Sequence, residues 1–134
     1  MIRTHTFRVE TRGHTDVIDL TPDVARVVGG GGTVTVFVPG STAGITTIEY
    51  EPGLLRDIKE AFERLAPEKK VYHHFETAGD DNGSAHVRAS LVGPSLTVPF
   101  RDGKLLLGTW QQIVLVDFDT RPRTREIIVQ VVGE

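Results

Sequence analysis

The chain has 134 residues, 39% hydrophobic and 25% charged, with a formal net charge of −3 and no cysteine. That length makes a single domain, residues 1–134, and the missing cysteine excludes disulfides, thiolate nucleophiles and sulfur-ligated metal centres. The mild acidity without a basic block argues against nucleic-acid partners, and no apolar run reaches the roughly 18 residues of a membrane span.

The start, MIRTHTFRVE, has no apolar h-region, so the expected location is the cytoplasm and the expected partners are small molecules. Ile2 to Glu10 and Asp16 to Leu20 read as two strands of a hairpin turning at Arg12-Gly13-His14. Thr21-Pro22-Asp23 follows as an N-cap, a proline at the first helical position and an early carboxylate, predicting a helix of about two turns that stops at Gly29. The glycines at 29–32 could cradle a phosphate, but no Lys and Ser/Thr follow as in a P-loop, and a helix stop with a permissive turn is the preferred reading.

Thr33 to Val38, TVTVFV, predicts a central strand with both faces covered. Pro39 to Gly44 breaks it with small residues, which suit either a close approach by a ligand or a plain turn, and Ile45 to Tyr50 resumes extended structure. Pro52 starts the clearest helix, PGLLRDIKEAFERLAP, whose Leu54, Leu55, Ile58, Ala61, Phe62 and Leu65 recur at helical spacing to form one apolar stripe for the sheet. Pro67 ends it, and Val71 to Phe75 reads as a short extended segment.

After a loop through Ala78 to Gly83, Ser84 caps a predicted helix that stops at Gly93-Pro94. Ser95 to Phe100, Lys104 to Gly108, Gln111 to Phe118 and Arg125 to Val132 are four further strands, the first pair joined by the hairpin signal Asp102-Gly103. Strands and helices lack a regular βαβ rhythm, so the expected class is α+β, a mainly antiparallel sheet with helices packed on one face.

Chemistry concentrates between Tyr72 and Ser90, which hold three of the five histidines beside Asp80, Asp81 and Asn82. Alternation in an extended segment would turn His73 and His74 to opposite sides, so at most one serves a site. His86 and Ser90 share a face one helical turn apart, and the helix start at Ser84 offers free N–H groups to an anion. One of the two histidines, His86 and a carboxylate from Glu76, Asp80 or Asp81 would make an N/O metal site or a general acid–base pair. Against this stands the plainer reading of surface histidines beside an ordinary Asp-Asp-Asn-Gly turn, with Trp110 in a core or interface.

The blocks PGSTAGITTIEYEPGLLRDI, YHH, DNGSAHVRASLVGPSLTVP, DGKLLLGTWQQIVLVDFD and RPRTREIIVQVVGE occur in the order found in the YjbQ family, and the chain resembles that family, also called the secondary thiamine-phosphate synthase family. The resemblance implies an α+β cyclic homotrimer with a polar, histidine-containing pocket near the subunit boundary. It implies thiamine-phosphate synthase activity, a transferase reaction joining an aminopyrimidine pyrophosphate to a thiazole phosphate, with a noncatalytic binder of a phosphorylated or anionic metabolite as the alternative. The family's Tyr-x-His falls on Tyr72 and His74, its Ala-His-x-x-x-Ser on Ala85, His86 and Ser90, and its Gly-Thr-Trp-Gln on Gly108, Thr109, Trp110 and Gln111. The expected catalytic set is therefore His74, His86, Asp80 and Asp81. Ser84, Ser90, Asn82, Thr109, Trp110, Gln111, Ser41 and Thr42 are the expected anion or substrate contacts. Many members carry Pro-His-Thr-Thr-Ala where this chain has Pro39-Gly40-Ser41-Thr42-Ala43, so a third imidazole is missing. Glu49 is the expected replacement beside His74 and His86 for a divalent ion, Zn or Mg.

Overall fold

Twelve elements follow one another along the computed structural model, which describes residues 1–134: β1 (Ile2–Thr11), β2 (Asp16–Asp19), α1 (Thr21–Ala25), β3 (Gly32–Phe37), β4 (Ala43–Ile48), α2 (Pro52–Leu65), α3 (His73–Ala78), α4 (Gly83–Val92), β5 (Ser95–Arg101), β6 (Lys104–Leu105), β7 (Gln112–Asp117) and β8 (Arg123–Gly133). The strands form two antiparallel sheets, one ordered β1-β8-β3-β5-β6 and the other β2-β7-β4. The α+β class with a mainly antiparallel arrangement and helices on one face is as expected.

The unbroken apolar run of β7 explains the layering. Successive strand residues point to opposite faces. Ile113 and Leu115 therefore join Val34, Val36, Ile127, Val129 and Val131 in a core between the two sheets, while Val114, Val116 and Phe118 pack on the other side against Ala85 and Ala89 of α4. β7 is the strand covered on both faces. TVTVFV does lie centrally in its sheet, between β8 and β5, but it buries only Val34, Val36 and Val38 while Thr33 and Phe37 remain exposed, so its second face is uncovered.

The expected N-terminal hairpin does not form. β1 pairs with β8 across the whole length of the larger sheet, and β2 pairs with β7 in the smaller one. Between them Gly13, His14 and Thr15 all adopt positive φ, at 77°, 54° and 67°, which swings the chain from one sheet to the other. A β-branched residue at such a φ is strained. The amide of Thr15 donates to Asp117 O at 2.9 Å and its hydroxyl accepts from Arg88, so tertiary bonds hold the turn.

α1 is shorter than predicted, ending at Ala25 instead of near Gly29, and Leu20 occupies its N-cap position. The Thr21 hydroxyl accepts from the amide of Ile113 at 2.8 Å, so it ties the helix to β7 instead of capping it. α2 matches its prediction: the Glu51 carboxylate caps it by accepting from the amides of Gly53 and Leu54, and its stripe meets the sheet through Phe62, edge-on to Phe118 at 4.8 Å. Asp102-Gly103 forms the predicted tight turn, with φ of 53° and 71°, although β6 covers only Lys104–Leu105. No helix is long and apolar enough to cross a membrane.

Two ionic clusters, neither foreseen in the sequence, lock this frame. Arg88 of α4 is 1% exposed; it donates from Nε to Ala66 O at 3.0 Å, from Nη1 to the Thr15 hydroxyl at 2.9 Å and from Nη2 to Glu63 at 2.9 Å. At the C-terminal end of β7, Arg125 donates from Nε and Nη2 to the two oxygens of Asp117, at 2.7 and 2.9 Å. Nη2 also reaches the Thr42 hydroxyl at 2.7 Å, which in turn donates to Asp119 at 3.1 Å, and Arg123 Nε closes the cluster on Asp119 at 2.8 Å.

Burial alone would raise the Asp119 pKa, but the Thr120 amide, Arg123 and Thr42 outweigh it and hold the carboxyl below its usual value. Because folding lowers this pKa, its stabilising contribution is complete above the unfolded value of about 4 and is lost as pH falls through the folded value. Urea denaturation between neutral pH and pH 3 should register that loss, and Asp119→Asn should be less stable at neutral pH with a shallower acid dependence.

Candidate functional site

Of the stretch expected to be extended, Val71 to Phe75, Tyr72 is extended but His73 to Phe75 start α3, so alternation is not what separates the two histidines. They lie about 100° apart around a helix. His73 points outward and bonds the Glu76 carboxylate at 2.9 Å, one turn along α3. His74 turns toward α4, where its ring lies 4.6 Å from that of His86, tilted by 52°. The expected inward pair therefore forms, for a different local reason.

The approach of α3 to α4 depends on Gly83. A Cβ at this position would fall 2.5 Å from Cβ of Tyr72, so only glycine lets the first turn of α4 pack against the residue that leads into α3. Tyr72 in turn donates its hydroxyl to Pro67 O at 2.7 Å, and burial raises its phenol pKa, with the Arg88 charge pulling the other way. The phenol stays a neutral donor and ties the α2–α3 connection down.

The start of α4 also differs from expectation. Asn82 stands at the N-cap, and Ser84 lies within the helix instead of capping it. Both residues are buried, and Asn82 Oδ1 and Ser84 Oγ have no hydrogen-bond partner in the chain. Buried polar atoms left this way are uncommon and costly.

One turn on, His86 and Ser90 share a face as predicted and border a cleft of ≈ 220 Å³ with Gly40, Ser41 and Pro94. The Ser90 hydroxyl donates to His86 O at 2.8 Å. Ser41 is thus brought beside His86, while Thr42 is not free to serve the site, its hydroxyl being engaged in the buried cluster with Asp119 and Arg125.

The remaining predicted residues divide among other places. Asp80 and Asp81 border a separate cavity of ≈ 520 Å³ with Lys69, Lys70, Tyr72 and Gly83, and Asp80 faces Arg121 at 3.9 Å. Gln111 holds the Gly108 amide and the Thr47 hydroxyl, at 3.0 and 3.1 Å, in a third cleft beside Leu96 and Thr97. Thr109 joins Trp110 on the turn before β7, where the indole is 71% exposed. Glu49 is exposed just beyond β4. No three His, Asp or Glu side chains of the chain are grouped so as to hold a metal ion. The residues that sequence reasoning missed are Arg125, Asp117 and Asp119; the only signal available was two aspartates inside and just after an apolar strand.

Two antiparallel sheets with a helical layer that pairs two imidazoles, one of them bordering a small cleft, define the class of this protein. Within that class the chain belongs to the YjbQ family: residues 5–134 match the family model described as UPF0047 protein YjbQ-like. A UPF0047 protein of Archaeoglobus fulgidus is 43% identical over 91% of this chain and 95% of its own length, and the UPF0047 protein YugU of Bacillus subtilis is 33% identical over 96% and 98%. Among solved structures, a hypothetical protein from Aeropyrum pernix superposes with a TM-score of 0.90 at 34% identity, covering 98% of this chain and 99% of its own. A YbjQ-like protein of unknown function from Sulfolobus solfataricus gives 0.87 at 30% identity over the full length of both.

Proposed function

We propose that the α3–α4 junction binds a phosphorylated small molecule and supports, as a secondary activity, the displacement of pyrophosphate from an aminopyrimidine by a thiazole phosphate. The observation that carries this reading is the His74–His86 pair, with rings 4.6 Å apart and His86 bordering the cleft beside Ser41 and Ser90. In the reaction the carbon–oxygen bond to pyrophosphate breaks, with the electron pair leaving on oxygen, and the thiazole nitrogen forms the new carbon–nitrogen bond. The protein's task is to stabilise charge on the departing group. His74 and His86 donate N–H bonds to it, and the Ser41 hydroxyl, which borders the same cleft as His86, serves its oxygens. Asp80 and Asp81, which border a different cavity, have no step in this scheme.

A metal enters only with help from another chain. Two imidazoles suit zinc better than magnesium but are half of a four-ligand zinc site. Assembly as a homotrimer in the cytoplasm belongs to the same proposal, and it is supported by the outer face of the larger sheet, where Phe37 and Val132 are exposed and no layer of the chain covers them.

Noncatalytic binding of an anionic metabolite is the second reading, favoured by one observation. The carboxylates that contact histidines belong to His14, through Glu68, and His73, through Glu76, so neither His74 nor His86 is poised by an acid. Purified protein supplied with both substrates, followed by fluorescence of oxidised thiamine phosphate, separates the readings. His86→Ala should lower product formation by about a hundredfold or more, the usual size of a lost acid–base or donor group, while pyrophosphate binding by calorimetry persists. Undiminished product from the His74→Ala, His86→Ala double variant would remove both residues from the reaction, and saturable pyrophosphate binding without turnover by the unaltered protein would leave the binding reading.

A further inference from the structure

Arg125 is 8% exposed, yet its guanidinium is only partly used. Asp117 takes the Nε–Nη2 edge through both oxygens and Thr42 takes a further bond from Nη2, but Nη1 has no acceptor in the chain. A guanidinium carries five donors in a fixed fork, so holding one edge aims the rest. Nη1 lies against Gly40, where a Cβ would come within 3.1 Å of it. Gly40 and Ser41 border the cleft on one side and His86 and Ser90 on the other. With φ of 143° and no side chain, Gly40 leaves the approach from cleft to guanidinium open.

We propose that Arg125 is a ligand-binding residue of the cleft: its Nη1 contacts a phosphoryl oxygen of the bound molecule across Gly40, opposite His86. The inference rests on the reading of the cleft as a phosphate site and names the cation that serves it. Asp117 is a positioning residue, since it fixes the Nε edge and thereby the direction of Nη1. The arrangement places the planar donor fork of a guanidinium opposite the imidazole of His86. It also gives a physical role to the break in the chain at Pro39 to Ala43, which brings the open position at Gly40 and the Thr42 tether to the same guanidinium.

The test is a titration of the isotope-labelled, unaltered protein with inorganic phosphate, following the arginine Nη and Nε resonances, the histidine rings and the backbone amides. The Arg125 Nη1 and the Ser41 and His86 signals should move together and saturate at one dissociation constant. Gly40→Ala, with unchanged unliganded spectra elsewhere, should weaken phosphate binding by at least about tenfold, as expected for loss of a charge-assisted hydrogen bond. Saturable shifts at His74, Ser84 and His86 with Arg125 unmoved would overturn this inference while leaving the phosphate site standing. Absence of saturable shifts anywhere would overturn both. Because the decisive signals are read in the unaltered protein, an unstable Gly40→Ala variant does not spare the inference.

Discussion

Arg125→Met should cost about 3–5 kcal/mol of stability, the usual loss when one partner of a buried ion pair is removed. Asp117 is fully buried, and its two oxygens accept from Nε and Nη2 of Arg125, with a further bond from the Thr11 hydroxyl at 2.6 Å. Methionine fills much of the space but strands the carboxylate. Adding Asp117→Asn removes the stranded charge, so the double variant should recover a large part of the loss, because an uncharged buried pair avoids the desolvation penalty. Urea denaturation of the two single variants and the double measures the coupling directly. Independent, additive losses would mean that the two side chains do not act as a pair. The pair also bears on the cleft, since Arg125 holds Thr42 and so the wall that carries Gly40 and Ser41.

Arg88→Ala is the second large effect, expected at about 2–4 kcal/mol from the loss of several charge-assisted bonds and the stranding of buried acceptors. Arg88 joins three segments distant in sequence: the strained turn at Thr15, the end of α2 through Glu63 and Ala66, and α4 itself. Two of its anchors therefore lie beside elements that set the imidazole pair, α4 bearing His86 and the α2–α3 connection leading to His74. Loss of Arg88 should loosen the registration of α3 on α4 before the sheets unfold. Amide hydrogen exchange should show faster exchange in residues 66–86 than in β3, β7 and β8. Uniform acceleration across the whole chain would mean that Arg88 contributes only to global stability.

Much of the local structure is legible in the sequence because its causes are local. The stripe of Leu54, Leu55, Ile58 and Phe62 sits at helical spacing whatever it packs against, and Asp102-Gly103 prescribes its own turn. His86 and Ser90 lie on one face because any helix puts them there. The family blocks extend this to the whole chain. What fails is the reading of His73 to Phe75 as extended, since Val71, Tyr72 and Phe75 resemble a strand until Gly83 allows α4 to pack on Tyr72 and a helix follows it.

Other features rest on partners far along the chain. The alternation in Ile2 to Glu10 marks a strand, but nothing in it distinguishes pairing with residues 16–20 from pairing with β8, more than a hundred residues away. Asp117 and Asp119 read as the polar end of a strand, and only the folded chain reveals that Arg125, Arg123 and Thr42 converge on them. The same convergence takes Thr42 out of the expected contact set and leaves Nη1 of Arg125 beside Gly40. The sequence by itself determined the family, the α+β class, the inward His86 and the helix that carries it. Tertiary structure decided which strands pair, which charges are buried and which predicted residues share a cleft, because these depend on long-range pairing and on burial, neither of which is encoded in a short window of residues.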